Sequence, residues 1–142
     1  MLMAFIFYRG VPLMPFTFYD EKRSFDVYRN MSDEDIVEAA QNNDNTALEY
    51  LFYKYKNYIK LKARSYYLIG ADKEDIVQEG MIGLYKAIRD YNKKRNTTFK
   101  SFAEICITRQ IISAIKTATR QKHIPLNSYI SLNKSAYNEE SE

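Results

Sequence analysis

The sequence predicts an all-α protein, a compact helical bundle of about four to five helices. Three features carry that expectation. Apolar residues return at three- and four-residue steps through most of the chain after residue 31, capping residues stand where those stripes begin, and no segment sustains the alternation of a strand. A length of 142 residues suits one domain, and 46% hydrophobic content with four Gly and three Pro excludes disordered, collagen-like and low-complexity chains. One cysteine, Cys106, and one histidine, His123, exclude a disulfide framework and an all-protein Cys/His zinc site.

The chain opens on MLMAFIFY, an apolar run that stops at Arg9 and Gly10, far short of the roughly 18 residues a membrane span needs. It carries neither a basic start nor a small-residue cleavage site ahead of Pro12 and Pro15, so a cytoplasmic protein without membrane contact is expected. Residues 1–30 show no sustained period; an irregular extension, a crossing of the domain surface and an overlong start ahead of Met31 all fit.

The helical domain is expected over residues 31–123. Ser32 is a good N-cap, and Asp33, Glu34 and Asp35 place negative charge in the first turn, where the helix dipole favours it. Ile36, Val37 and Ala40 form that helix's apolar face, and Asn42-Asn43-Asp44-Asn45 ends it. Thr46 and Glu49 have the spacing of a capping box, which opens a second helix striped by Leu48, Leu51, Phe52, Tyr55 and Ile59 and stopped at Gly70. Asp72 caps a third, whose buried face is Ile76, Val77, Gly80, Met81, Leu84, Tyr85 and Ile88. After the loop Asn92-Lys93-Lys94-Arg95-Asn96, Thr97 or Thr98 caps a fourth helix striped by Phe99, Phe102, Ala103, Cys106, Ile107, Gln110, Ile111, Ala114 and Ala118. This helix is expected to end before Pro125, which disfavours helical geometry at Ile124, and to leave residues 124–142 as a linker-like tail.

Net charge is +3, too mild to name a partner, but its distribution is uneven. Residues 31–51 carry six acids and no base, residues 52–66 five bases and no acid, and residues 92–123 eight bases and one acid. Neutralisation of phosphates needs such a surplus, and one solvated basic face would produce it too.

Three surfaces invite a function. The outer side of the third helix carries Asp75, Gln78, Glu79, Ile82 and Lys86, where an isoleucine among acids and amides is either part of a partner-binding face or an ordinary exposed residue. The outer side of the fourth carries Ile105, Thr108, Arg109, Ile112, Lys116 and Arg120. Cations for phosphates and neutral side chains for base edges fit DNA, and a basic solvent face fits as well. The loop between them offers Lys93, Lys94 and Arg95 beside Tyr91, Phe99 and Phe102, equipment for single-stranded nucleic acid unless the rings belong to the core. No Gly-rich phosphate loop, HExxH or GxSxG is present, Cys106 sits in an apolar stripe and His123 has no orienting acid. No enzyme activity and no cofactor are expected.

The run DIVQEGMIGLYKAI, residues 75–88, resembles region 2.2 of bacterial RNA polymerase sigma factors of the sigma-70 family. FKSFA, residues 99–103, resembles region 2.3 at the family's spacing, and CITRQI, residues 106–111, resembles region 2.4. ITRQIISAIKTATRQKHIPLNSYISLNK is similar to the sigma-H type of Gram-positive and related bacteria, and the resemblance covers about residues 31–142.

The resemblance implies an alternative sigma factor that binds core RNA polymerase and recognises and helps melt the promoter −10 element, as a sporulation or stationary-phase regulator. Asp75, Gln78, Glu79 and Ile82 would meet the clamp coiled coil of the β′ subunit. Tyr91, Arg95, Phe99 and Phe102 would capture the unpaired non-template strand with its flipped adenine. Arg109 and Ile112 would read the duplex edge upstream, since arginine's fork suits a guanine. Lys93, Lys94, Lys116, Arg120 and Lys122 would hold phosphates. An anti-sigma factor is a further candidate partner. Two departures qualify the likeness: Ile105 and Cys106 stand where primary sigma factors have paired tryptophans, which implies weaker or promoter-restricted opening. The chain also reaches Glu142 without the helix-turn-helix that reads the −35 element, as a fragment or a truncated factor would. The competing class is a helical adaptor that binds only protein.

Overall fold

The computed structural model describes the backbone of residues 4–8, 11–16, 25–66 and 73–139, and the side chains of residues 25–66 and 74–120. Two strands, β1 (Ala4–Tyr8) and β2 (Val11–Phe16), precede five helices: α1 (Asp26–Arg29), α2 (Asp33–Gln41), α3 (Asn45–Tyr66), α4 (Lys73–Asp90) and α5 (Phe99–Glu139). The helical fold class holds for every described element from Asp26 onward.

The strands pair antiparallel, with Ala4 opposite Phe16 and Tyr8 opposite Val11, and an irregularity between Ile6 and Phe7. This hairpin departs from the expectation that no strand would form. Its runs are short and continuously apolar, so they lack the alternation that marks a half-buried strand. Pro12 and Pro15 are tolerated in β2 because a two-stranded sheet leaves each strand an open edge.

Local chemistry explains the helix starts. Ser32 caps α2 as expected, its hydroxyl accepting from Asp35 N at 3.2 Å. The cap of α3 is Asp44 rather than the expected Thr46: its Oδ1 accepts from Thr46 N at 3.1 Å and Ala47 N at 3.2 Å. A carboxylate one residue ahead of the first turn reaches those amides and suits the dipole better than a hydroxyl inside it. Asn43 takes a φ of 70°, a left-handed conformation asparagine accepts, and so turns the chain between α2 and α3. Thr98 caps α5, accepting from Ser101 N at 3.3 Å. Gly70 and Asp72 lie outside the described residues.

The largest fully buried side chains are Ile36 and Val37 of α2, Leu51 and Ile59 of α3, Leu84 of α4, and Phe99, Ile107 and Ile111 of α5. On α5 the fully buried positions are Phe99, Ala103, Ile107 and Ile111, a strict four-residue step flanked by half-buried neighbours. The backbones of α4 and α5 nearly touch at Gly83, where a Cβ would lie 2.8 Å from Ile107 Cα and 2.9 Å from Cys106 O. Only glycine permits that approach.

The expected end of α5 before Pro125 is not observed; the helix continues to Glu139. Proline removes one N–H from the ladder and crowds the preceding turn, which weakens a helix without forbidding it. No glycine follows in α5 to supply a left-handed stop. The tail expected to be linker-like is therefore helical backbone as far as Glu139.

Candidate functional site

The outer face of α4 begins with Asp75 and Gln78, both exposed and with no hydrogen bond or ion pair to the described residues. Glu79 is different. It is half-buried and accepts from Gln110 Nε2 at 2.7 Å, while Gln110 Oε1 accepts from Lys86 Nζ at 2.8 Å. Ile82, expected to be exposed, is half-buried and packs against the core. That packing removes the anomaly that a three- and four-residue count alone suggested.

The loop after α4 is held at both ends by α2. Gln41 Nε2 donates to Ile88 O at 2.8 Å and Tyr91 O at 2.9 Å, satisfying carbonyls that the end of α4 leaves free. Glu34 Oε1 accepts from Phe99 N at 2.9 Å, placing a carboxylate on the first amide of α5. Between those anchors Asn92 Oδ1 accepts from Lys94 N at 2.9 Å and Lys93 pairs with Asp35 at 2.8 Å. That hydrogen bond holds the Asp35 carboxyl below, and the Lys93 ammonium above, their ordinary values. Lys94 and Arg95 are exposed and in no ion pair among the described residues.

The aromatic set divides. Phe99 is 0% exposed, edge-on to Tyr55 at 5.7 Å and to Tyr91 at 5.4 Å. Tyr91 is also buried, and its hydroxyl donates to Thr97 O at 2.8 Å. Burial lifts its phenol above the ordinary range. Both rings belong to the buried core, and neither presents an open face to solvent in this structure. Phe102 is half-buried, 5.9 Å from Tyr91, with a partly open face.

On α5, Ile105, Arg109, Lys116 and Arg120 are exposed, and Thr108 and Ile112 half-buried, along one side of the helix. The side chain of Lys122 lies outside the described residues, as does that of His123. Cys106 is half-buried, and burial raises its thiol against the opposing effect of Arg109. Beside this face a cleft of about 420 Å³ opens between α3 and α5, lined by Tyr58 and Lys62 on one side and by Ser101, Ile105 and Arg109 among others on the opposite one. Sequence reasoning missed Tyr58 and Lys62; the run of bases over residues 52–66 was their only signal. No described helix is long and apolar enough to cross a membrane, and no described cluster of His, Cys, Asp and Glu could hold a metal.

Residues 51–121 match the family described as Sigma-70 region 2. The chain is 61% identical over 125 residues to the RNA polymerase sigma-H factor of Bacillus licheniformis, covering 88% of this chain and 56% of that protein. It is 64% identical over 112 residues to the RNA polymerase sigma-H factor of Bacillus subtilis (strain 168), covering 79% and 51%. A third relative, the RNA polymerase sigma-B factor of Bacillus anthracis, is 35% identical over 100 residues, covering 68% and 39%. The chain spans about half the length of the two sigma-H factors it matches.

Proposed function

The chain belongs to the sigma-70 family, and we propose that it is the part of an alternative sigma factor that docks on core RNA polymerase and engages the promoter −10 element. The match over residues 51–121 carries this reading, because it takes in the outer face of α4, the loop after it and the basic side of α5 together.

Asp75 and Gln78 are the docking residues, with Glu79 and Ile82 beside them, and their target is the clamp coiled coil of the β′ subunit. The exposure of Asp75 and Gln78 supports that role. Phe102 offers a ring to an unpaired base of the non-template strand, while Lys94 and Arg95 hold its backbone. Tyr91 packs against Phe102 and is itself backed edge-on by Phe99. Arg109 and Ile112 read the duplex edge, and Lys116, Arg120 and Lys122 set register on phosphates. Lys93 reaches a phosphate only by releasing Asp35. Every step is binding: a few kcal/mol of unstacking is offset by ring, cation and polymerase contacts.

Co-elution with bacterial core RNA polymerase, followed by titration of a single-stranded promoter oligonucleotide against salt, tests the reading. It requires a complex and an affinity that falls steeply with ionic strength. A folded chain that forms neither overturns it.

A further inference from the structure

Gln110 stands in the apolar stripe of α5, where an amide is costly unless both of its ends find partners. Its stem is fixed first. Gly83 of α4 lets the two helices approach until a Cβ there would lie 3.0 Å from Gln110 Cβ, so the side chain starts over that glycine. Glu79 stands four residues before Gly83 and Lys86 three after it, on one side of α4. The amide reaches both: Nε2 donates to Glu79 Oε2 at 2.7 Å and Oε1 accepts from Lys86 Nζ at 2.8 Å. Resting on the polymerase-docking reading above, we propose that Gln110 is a positioning residue for docking, whose amide holds the Glu79 carboxylate in one orientation and apart from Lys86.

Orientation is the first support. Glu79 is half-buried, and the bond from Gln110 is its one side-chain hydrogen bond among the described residues, so Oε1 keeps its acceptor capacity. An untethered glutamate samples many rotamers, and freezing it on contact weakens association. Gln110 removes that freedom within the fold, before a partner arrives.

Charge is the second. A carboxylate and an ammonium on one helix side attract each other, yet Glu79 and Lys86 form no ion pair. The amide lies between them with its N–H end toward the anion and its oxygen toward the cation, the orientation that the two charges favour. A lysine or arginine at 110 would bond Glu79 and neutralise it, whereas an amide bonds it and leaves its charge for a partner. Asp75, one turn back on α4, is exposed, so a basic partner side chain that meets it finds Glu79 already set.

The test is a double-mutant cycle read as the affinity of the full chain for core RNA polymerase, with urea denaturation of each variant to show that it folds. Gln110→Met keeps the stem and loses both bonds, and is expected to lower affinity about threefold to tenfold. Gln110→Glu still accepts from Lys86 but cannot donate to Glu79, and is expected to lose at least as much. Glu79→Ala is expected to lower affinity about tenfold or more. Adding Gln110→Met to Glu79→Ala then changes affinity by less than about twofold, because Glu79 transmits the effect. Full affinity in Gln110→Met or Gln110→Glu, beside a parent chain that docks, overturns the positioning role alone. A loss that multiplies with that of Glu79→Ala also overturns it, since the effect then runs through the fold at large. Glu79→Ala that docks like the parent overturns it too and leaves docking to Asp75 and Gln78. A folded parent chain that does not bind polymerase overturns the docking reading and the positioning role together.

Discussion

Gln110 of α5 donates to the carboxylate of Glu79 on α4 at 2.7 Å. The same amide accepts from Lys86 Nζ at 2.8 Å, so Gln110 ties two charged residues of the neighbouring helix into one orientation. The outer face of α4 and the basic helix α5 therefore share a hydrogen-bonded side chain. Gln110→Leu keeps the volume and removes both bonds, and is expected to cost about 1 kcal/mol of stability. An unchanged midpoint in urea denaturation contradicts this.

Asp75→Lys is expected to abolish co-elution with core RNA polymerase and to leave the domain folded, at a cost of no more than about 1 kcal/mol, since Asp75 is exposed and its fold contribution is a first-turn charge on α4. Glu79→Lys is a different experiment, because it also breaks the bond from Gln110 and places a cation beside Lys86. Thermal melts of both variants, run beside the gel filtration, separate docking from folding; an Asp75→Lys chain that stays folded and still co-elutes is the contrary result.

Phe99→Ala empties a fully buried ring site and is expected to destabilise the domain by about 3–5 kcal/mol. Phe102→Ala is milder for the fold and costs about 1–3 kcal/mol in affinity for a single-stranded −10 oligonucleotide. Equilibrium unfolding and oligonucleotide titration of the two variants check the contrast. Equal stability losses with unchanged affinity would return Phe102 to the core.

Gly83→Ala forces a methyl against the backbone of α5 and is expected to cost about 1–3 kcal/mol. The measurement is again urea denaturation, and a variant as stable as the parent shows that α4 and α5 can separate freely.

Acid stability has an identifiable contributor in Asp44. The bond from the Tyr28 hydroxyl at 2.8 Å, with those from Ala47 N and Thr46 N, holds its carboxyl below the ordinary carboxylate value. A depressed folded-state value means that the stabilisation is complete above the unfolded value near about pH 4 and is lost as pH falls through the folded one. Asp44→Asn is expected to flatten the stability profile in that acid range. Parallel profiles for the two proteins sink the assignment.

The helices were legible where one residue type decides, as at Ser32 and at the four-residue step of Phe99, Ala103, Ile107 and Ile111. Phe99 and Phe102 were not separable on sequence, because both fall on the apolar stripe and only packing against Tyr55 and Tyr91 encloses the first. Asp44 outcompeted Thr46 as a cap because a carboxylate just outside the first turn reaches two amides. The cleft was illegible for a further reason: Lys62 and Arg109 are distant in sequence, and nothing in either stripe announces that α3 and α5 face one another across it.

The residues of α2 that hold the loop after α4 bond to partners 47 to 65 positions further along the chain. Contacts of such separation carry a loop-closure cost that local helices do not. During synthesis Glu34, Asp35 and Gln41 leave the ribosome long before the segment they fasten, and must wait for it. The loop is accordingly among the last parts of the domain to take its shape, and refolding of an intact chain should recover helix signal before it recovers the Lys93–Asp35 pair.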